Sequence, residues 1–467
     1  GGGGGGRGQK AAQAVRSNGE PPQVCFRPGR GKRKKKAARP RRPVGQAVLR
    51  GLRAFGIGIL RRLYFGSKTI FKLALCLPIL VFMVWFSYTV DRSGLFQGAL
   101  APRRIVDLML EGYDVTNFDS MDEREVVQLY AQDVPDTPRV IGIGSSRVLQ
   151  FNRELVGDDS FFNMGVTGAD VRDCMTSYYK MVSYGKAPEV LIWSVDPWVF
   201  YDDPAAYDER ADAELYNEFL TKVLGVATDY EEPDRVELWK ALAEPAYFQG
   251  NVDYFIKNHG QATVTDDDGN TIDFNPVTGD PYAQPSNIKR SDGSILYEPS
   301  FRNQTQDQIL AQAAAACQTF NSVHMEGFDA LGSTATAAFE AFINYAHSQG
   351  TTVILVLSPW HPYLYDYLLN ETELHQGFFA VEPWIRQFCA VHGIPLYGSY
   401  DPSCIPGIEE MDFFDGLHCK DTGIAKFFPG VDAVLDAIES DSLPDPLAVT
   451  PRTTAPVPEE PAETGAA

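Results

Sequence analysis

The sequence predicts an α/β fold, a parallel sheet with helices on both faces, preceded by one N-terminal transmembrane helix. Three observations predict it. Short apolar runs such as "RVIGI" and "EVLIWSVD" alternate with stretches of helical periodicity, the pattern of strands buried on both faces. A second kind of run, "LALCLPILVFMVWFSYTV", holds no charge over residues 73–90. Charge is also divided across that run. Of the 41 Lys and Arg, 19 precede residue 73, where Glu20 is the only acid, so the net charge of −20 comes from the C-terminal side of the run.

Residues 1–45 are rich in Gly, Pro, Arg and Lys and read as a disordered basic cytoplasmic segment. The cluster Lys32-Arg33-Lys34-Lys35-Lys36 would suit a nucleic-acid backbone. A membrane-length segment lies after it, so we read it as a topological signal and expect no nucleic-acid partner. Residues 46–69 alternate basic and apolar residues at near-helical spacing, as a helix lying on the inner leaflet does.

Residues 70–90 form the transmembrane helix. About 20 apolar residues cross a hydrocarbon layer of ~30 Å. Asp91 and Arg92 end the run, and Trp85 and Tyr88 sit near that end, as interfacial aromatics do. A signal peptide is the alternative, but the apolar core is too long and no A-x-A-like site comes directly after it. The excess of Lys and Arg before the span places the N-terminus in the cytoplasm. The expected location is therefore the cell membrane, single-pass, with the main domain outside.

That domain occupies residues 91–440. Strands are expected at 139–143, 189–196, 351–359 and 394–398, and helices at 168–185, 334–350 and 381–393, the last two stopped by Gly350 and Gly393. Residues 201–333 break the rhythm with polar loops and read as an insertion over the top of the sheet. Residues 441–467, rich in Pro, Thr and Glu, read as a disordered tail.

Seven cysteines do not make a disulfide scaffold in a chain this long. Cys25 falls on the cytoplasmic side and Cys76 in the membrane, leaving Cys174, Cys317, Cys389, Cys404 and Cys419 outside, an odd set. Cys404 with Cys419 is a candidate bridge. No C-x-x-C pair and no metal-ligand spacing occur, so we expect neither metal nor cofactor.

The turn after the first strand, "GIGSSRV", admits three readings. Gly142-x-Gly144 fits a phosphate cradle poorly, because Arg147 stands where the third glycine belongs and no acidic residue occupies the ribose position. A tight strand-to-helix turn without chemistry fits. So does a turn presenting a serine. The far end of the domain favours the last. In "DGLH", Asp415 precedes His418 by three residues, a spacing at which a carboxylate orients an imidazole toward a serine hydroxyl.

In four short blocks the chain resembles the SGNH/GDSL hydrolase superfamily. "GSS" at 144–146 is similar to the first block, with Ser146 in the nucleophile's place and Ser145 replacing the usual aspartate. "NMGVTGAD" at 163–170 resembles the second, "WSVDPW" at 193–198 occupies the third, and "DGLH" at 415–418 resembles the last. The resemblance implies a three-layer, flavodoxin-like α/β fold. It also implies a triad of Ser146, His418 as base and Asp415 as its orienter, with an oxyanion hole from the backbone N–H groups of Ser146 and Gly168. Membrane-anchored members act on O-acyl groups of bacterial envelope polymers. The implied partners are therefore a cell-envelope polysaccharide or other acylated glycan, and a membrane-bound O-acyltransferase.

One residue departs from the pattern. Asp196 stands where the third block supplies an asparagine donor, and an ionised carboxylate cannot donate. Either it pairs elsewhere, with Arg147 as a candidate, or it is protonated, or the hole has backbone donors alone. Arg147 fits equally as a contact for an anionic substrate or as a surface residue. Asn163, Trp198, Trp360 and His361 are candidate substrate-binding residues, the last two with Tyr363 and Tyr365 in "SPWHPYLYDYL", at the end of a strand. Aromatics packing a long loop account for that stretch as well. His259, His324, His347, His375 and His392 have no partner spacing and read as structural. Two non-enzymatic readings stay open: an inactive scaffold serving a membrane acyltransferase complex, and a glycan-binding module.

Overall fold

The computed structural model describes residues 44–90, 100–116, 123–203, 207–231, 239–240, 242–258, 263–265, 271–273, 275–319, 325 and 327–453. Two compact units, Gly1–Leu75 and Cys76–Ala467, divide the chain. The helices, in chain order, are α1 (Val44–Val90), α2 (Leu100–Leu110), α3 (Glu123–Asp133), α4 (Val171–Ser183), α5 (Ala213–Lys222), α6 (Pro245–Asn258), α7 (Gln306–Thr319), α8 (Ser333–Ser348), α9 (Pro362–Asn370), α10 (Gln376–His392) and α11 (Val431–Glu439). The main sheet has five strands: β1 (Val140–Ile143), β2 (Phe161–Asn163), β3 (Val190–Ser194), β4 (Thr352–Leu357) and β5 (Leu396–Gly398).

The expected juxtamembrane and transmembrane segments are one continuous helix, α1, with Pro78 inside it. Among the described residues it is the one helix long and apolar enough to cross a membrane. The expected disorder of residues 1–45 falls outside the described residues, apart from 44–45 in α1.

All strand pairs of the main sheet are parallel, in the order β2-β1-β3-β4-β5. The strands are mainly buried and apolar, and successive side chains point to opposite faces. Ile141, Ile143, Leu191, Trp193, Val353 and Leu355 join one core, with α4, α8 and α10. Val140, Val190, Ile192, Ile354 and Val356 join a second core, with Ile309 of α7 and Val431 and Val434 of α11. Two cores on two faces are what a doubly covered parallel sheet requires. The strand order reverses beside β1, and in such sheets the crevice at the carboxyl ends of the strands at this point is where ligands bind.

Between β3 and α8 the described residues hold α5, α6, α7, a hairpin of Thr263–Thr265 with Thr271–Asp273, and two short strands, Ile288–Lys289 and Ile295–Leu296. The first of these short strands pairs with Val115–Thr116. The segment is not all loop over the sheet, since Ile309 reaches the second core. Periodicity in the sequence also misses edge strand β2, helix α9 and helix α11. β2 has three residues, too few for a period to show.

The expected tail is partly overturned. Residues 441–453 are held down: Arg452 makes a bidentate pair with the buried Asp401 at 2.8–2.9 Å, and Tyr365 donates to the Arg452 carbonyl at 2.7 Å. A buried carboxylate demands a partner, and Arg452 supplies it. The rest of the tail lies outside the described residues.

Trp193 anchors the first core. It is fully buried, with its ring 4.8 Å from Phe339 and 5.1 Å from Phe342 of α8. Trp193→Ala should destabilise the domain by about 4 kcal/mol, read as a lowered midpoint in chemical unfolding of the detergent-solubilised chain. A shift below about 1 kcal/mol would show that α8 does not depend on this contact.

Candidate active site

β1 ends at Ile143, and the chain turns through Gly144 and Ser145 to present Ser146. Gly144 has φ +149°, and a Cβ there would stand 2.8 Å from the Ser194 carbonyl oxygen at the end of β3. Only glycine permits that approach. Ser145 caps the turn, its hydroxyl accepting from the Arg147 N–H at 3.3 Å. The chain then makes a single 3-10 turn, Ser146–Val148, and a four-residue helix, Arg153–Val156. No long helix begins here, so the glycines serve the strand–strand approach and the turn cradles no phosphate at a helix N-terminus.

Residues 413–419 form a tight loop. Phe413 bridges antiparallel to Cys419, and the Phe414 N–H donates to the His418 carbonyl at 2.9 Å. Phe413 and Cys419 are both buried and pin the loop to the second core. Asp415 and His418 project from it. Asp415 Oδ1 accepts from the Leu417 and His418 N–H groups at 2.7 and 2.9 Å. His418 Nδ1 lies 2.9 and 3.0 Å from the two carboxylate oxygens, and His418 Nε2 lies 2.8 Å from Ser146 Oγ.

Burial alone would raise the Asp415 carboxyl. The His418 ring and the two backbone N–H groups outweigh it and bring it down to about 2, so Asp415 is ionised near neutral pH. An ionised Asp415 accepts from Nδ1–H. That leaves Nε2 as the acceptor for the Ser146 hydroxyl. The arrangement can therefore remove a proton from Ser146 as its oxygen attacks an electrophile.

The loop bearing Gly168 is fixed by charges from distant segments. Gly168 has φ +68°. Arg124 of α3 donates to its carbonyl at 3.4 Å and pairs with Asp173 at 2.8 Å. Arg210 donates to the Thr167 carbonyl at 3.4 Å. A trans peptide points its N–H opposite to its carbonyl, so the Gly168 N–H faces away from Arg210. Glu123 accepts from the Thr167 N–H at 2.7 Å and is paired with Lys289 at 2.9 Å. None of Glu123, Arg124, Arg210 and Lys289 was legible as a site residue. In sequence they belong to mixed-charge stretches that read as solvated.

Arg147 is buried, not at the surface. Its guanidinium lies 3.4 Å from Asp196 Oδ1 and donates to the carbonyls of Ser358 and, at 3.0 Å, Pro359. It also stacks 4.1 Å from the Trp360 ring centre. Asp196 thus points to Arg147. Burial pushes its carboxyl up, opposed by Arg147 and by hydrogen bonds from Ser145. The same burial pulls the guanidinium down, yet a guanidinium keeps its proton. The contact is a buried ion pair.

Four substrate-binding expectations are overturned by burial. Asn163 is wholly buried: its amide N–H groups donate to Val148 and Phe151 carbonyls at 2.8 and 2.9 Å, and its Oδ1 accepts from Gly165 N–H at 2.8 Å. It ties the turn after β1 to β2. Trp198 is buried and donates to the Ala169 carbonyl at 2.9 Å. Trp360 is a wholly buried platform for Arg147. His361 is also wholly buried. Its Nδ1 accepts from Tyr363 N–H at 3.1 Å, and its backbone N–H donates to the Gly416 carbonyl at 3.1 Å. It therefore supports the Asp415 loop from behind. Arg147 is likewise unavailable to a substrate.

Cys404 and Cys419 form no bridge. Among the described residues every cysteine is free. Cys404 Sγ instead contacts the Thr450 carbonyl at 3.6 Å, and Cys419 packs beneath Gly423. His259 and His324 lie outside the described residues.

Comparison with known proteins finds no family model that matches the chain, and no curated protein matches it.

The ion pair gives a test. Arg147→Met should destabilise the domain by about 3–5 kcal/mol, because it strands a buried carboxylate. Adding Asp196→Leu should recover part of that loss. The measurement is a double-mutant cycle of unfolding free energies, and strict additivity would show that the two side chains do not interact.

Proposed function

We propose that the protein is a membrane-anchored, extracytoplasmic serine esterase or O-acyltransferase of SGNH type. Its substrates on this reading are acyl esters, acetyl above all, of a cell-envelope polysaccharide or other acylated glycan, with a membrane-bound O-acyltransferase as the natural partner. One observation carries the proposal. Ser146 and His418, 272 residues apart in sequence, meet at 2.8 Å, and Asp415 closes the chain on the other ring nitrogen. Such a chain of three is the geometry of nucleophilic acyl transfer. The strand order and the two cores support the flavodoxin-like, three-layer arrangement. The apolar length of α1 and the basic excess before it support an anchor with the N-terminus inside.

The proposed reaction runs in two halves. Ser146 Oγ attacks the ester carbonyl carbon while its proton passes to His418 Nε2. The tetrahedral oxyanion is bound by backbone N–H groups of Ser146 and Gly168. The 3-10 turn makes its first bond at Val148, so the Ser146 N–H is not used by the turn. Collapse expels the sugar alkoxide, which takes the proton from His418, and leaves acyl-Ser146. Water or an acceptor hydroxyl then attacks the acyl carbon, its proton passing to Nε2, and Ser146 is restored as Nε2 returns that proton. Exclusion of water decides between transfer and hydrolysis.

Asp196 favours a second reading, an inactive scaffold of a membrane acyltransferase complex. Its carboxylate is engaged with Arg147 and offers no donor to an oxyanion. Active-site labelling separates the two. The wild-type chain should take up a fluorophosphonate probe, and Ser146→Ala and His418→Ala should not. Ester turnover should vanish in Ser146→Ala, with its unfolding midpoint unchanged, and fall about 10²–10⁴-fold in Asp415→Asn. Equal labelling of wild type and Ser146→Ala would overturn the enzymatic reading.

A further inference from the structure

Helix α6, inside the segment between β3 and β4, packs on the outer part of α1. Phe248 lies 6.2 Å from Phe82 and 5.6 Å from Phe86 between ring centres, and Phe255 lies 5.4 Å from Phe86. Trp239, just before α6, stacks on Tyr88 at 6.0 Å with the planes 10° apart. Phe248 and Phe255 are seven residues apart and Phe82 and Phe86 four, so two helical seams face each other.

Depth comes from helix geometry. The apolar run ends at Val90. At 1.5 Å per residue, Phe86 lies ~6 Å and Phe82 ~12 Å inside that end. A side chain touching both is within the outer half of a hydrocarbon layer ~30 Å thick. The rest of α6 suits that position. At 100° per residue, Phe255, Phe248, Val252 and Ile256 form one arc of about 100°. Ile256 is 73% exposed and Phe255 37%. Gln249 and Asp253, both exposed, border the arc, while Tyr254 packs against the domain core on the other side. A helix with one side on its own domain, one on the span, an apolar arc and a polar border fits the boundary between headgroups and acyl chains.

We propose that α6 is a second membrane-contacting element, seated in the outer leaflet beside α1, with Trp239, Phe255 and Ile256 in contact with lipid. The proposal rests on α1 spanning the membrane. With two contacts instead of one tether, the domain is held at a fixed height and tilt over the bilayer, where a polymer substrate of the envelope would be met.

The test uses the full chain in vesicles of phosphatidylcholine and phosphatidylglycerol, with Cys25, Cys76 and Cys404 replaced by serine. An environment-sensitive nitrobenzoxadiazole probe is placed on Ile256→Cys or, as the reference for the span, on Leu80→Cys. Lipids brominated on the acyl chains should quench both probes, about twofold or more. Phe248→Asp with Phe255→Asp should release the probe at 256 and leave the probe at 80 quenched. A quenched 80 with an unquenched 256 overturns the proposal alone. An unquenched 80 overturns the span on which it rests. Quenching at 256 that survives the double aspartate variant overturns the assigned seam.

Discussion

A single guanidinium holds together the edge of the sheet on which the candidate site is built. Arg147 leaves the end of β1 and reaches Asp196 after β3 and the Ser358 and Pro359 carbonyls after β4, with the Trp360 ring beneath it. Burying such a charge costs several kcal/mol before any partner is counted. One carboxylate at 3.4 Å is a modest Coulombic return. The two carbonyls and the aromatic face supply what remains. Because the contacts join the ends of β1, β3 and β4, the strand ends cannot drift apart without exposing an unsatisfied charge. Ser146 is the residue immediately before this clamp, so its position is inherited from it.

The same logic governs the Asp415 loop, which meets Ser146 through His418, and the Gly168 loop. Backbone N–H groups of the Asp415 loop are spent on the Asp415 carboxylate itself, which fixes the carboxylate before it ever meets the imidazole. The Gly416 carbonyl is taken by the His361 N–H, and a Cβ on Gly416 would come within 2.7 Å of Ala316 on α7. Glycine there lets helix and loop close up. The Gly168 loop is held instead by charges: Arg124, Arg210 and Glu123 reach it from outside. One loop is locked by its own hydrogen bonds and by packing, the other by charged side chains bonded to its backbone, so high salt should loosen mainly the exposed Arg210 contact.

Much of the fold was legible because it rests on local pattern. β1, β3, β4 and β5 are apolar runs, and α4, α8 and α10 carry helical periodicity with glycine stops. The contact of Asp415 with His418 was legible too, since they sit at a spacing that permits it. The approach of Ser146 from 272 residues away has no local signal and was reached through the family resemblance. What sequence could not supply was the assignment of buried polar residues. Asn163, Trp198, Trp360 and His361 are the residue types that line binding sites, and they are equally the types that satisfy buried carbonyls and charges. Only coordinates distinguish the two uses. Glu123 and Arg124 show the converse: charged residues at the start of α3, indistinguishable from a solvated face until their partners 44–49 residues away are known.

Asp196 is where these constraints meet. On the proposed reading, a hole lacking its side-chain donor forgoes about 3 kcal/mol of transition-state stabilisation, or roughly a hundredfold in rate. A free carboxylate in that place would do worse, because it would repel the oxyanion directly. The clamp reduces that second penalty, since Arg147 pairs with Asp196 and offsets its charge. On the same reading, the charge that organises the strand ends is also what makes an aspartate tolerable beside Ser146. That ties Arg147 and Asp196 to each other chemically.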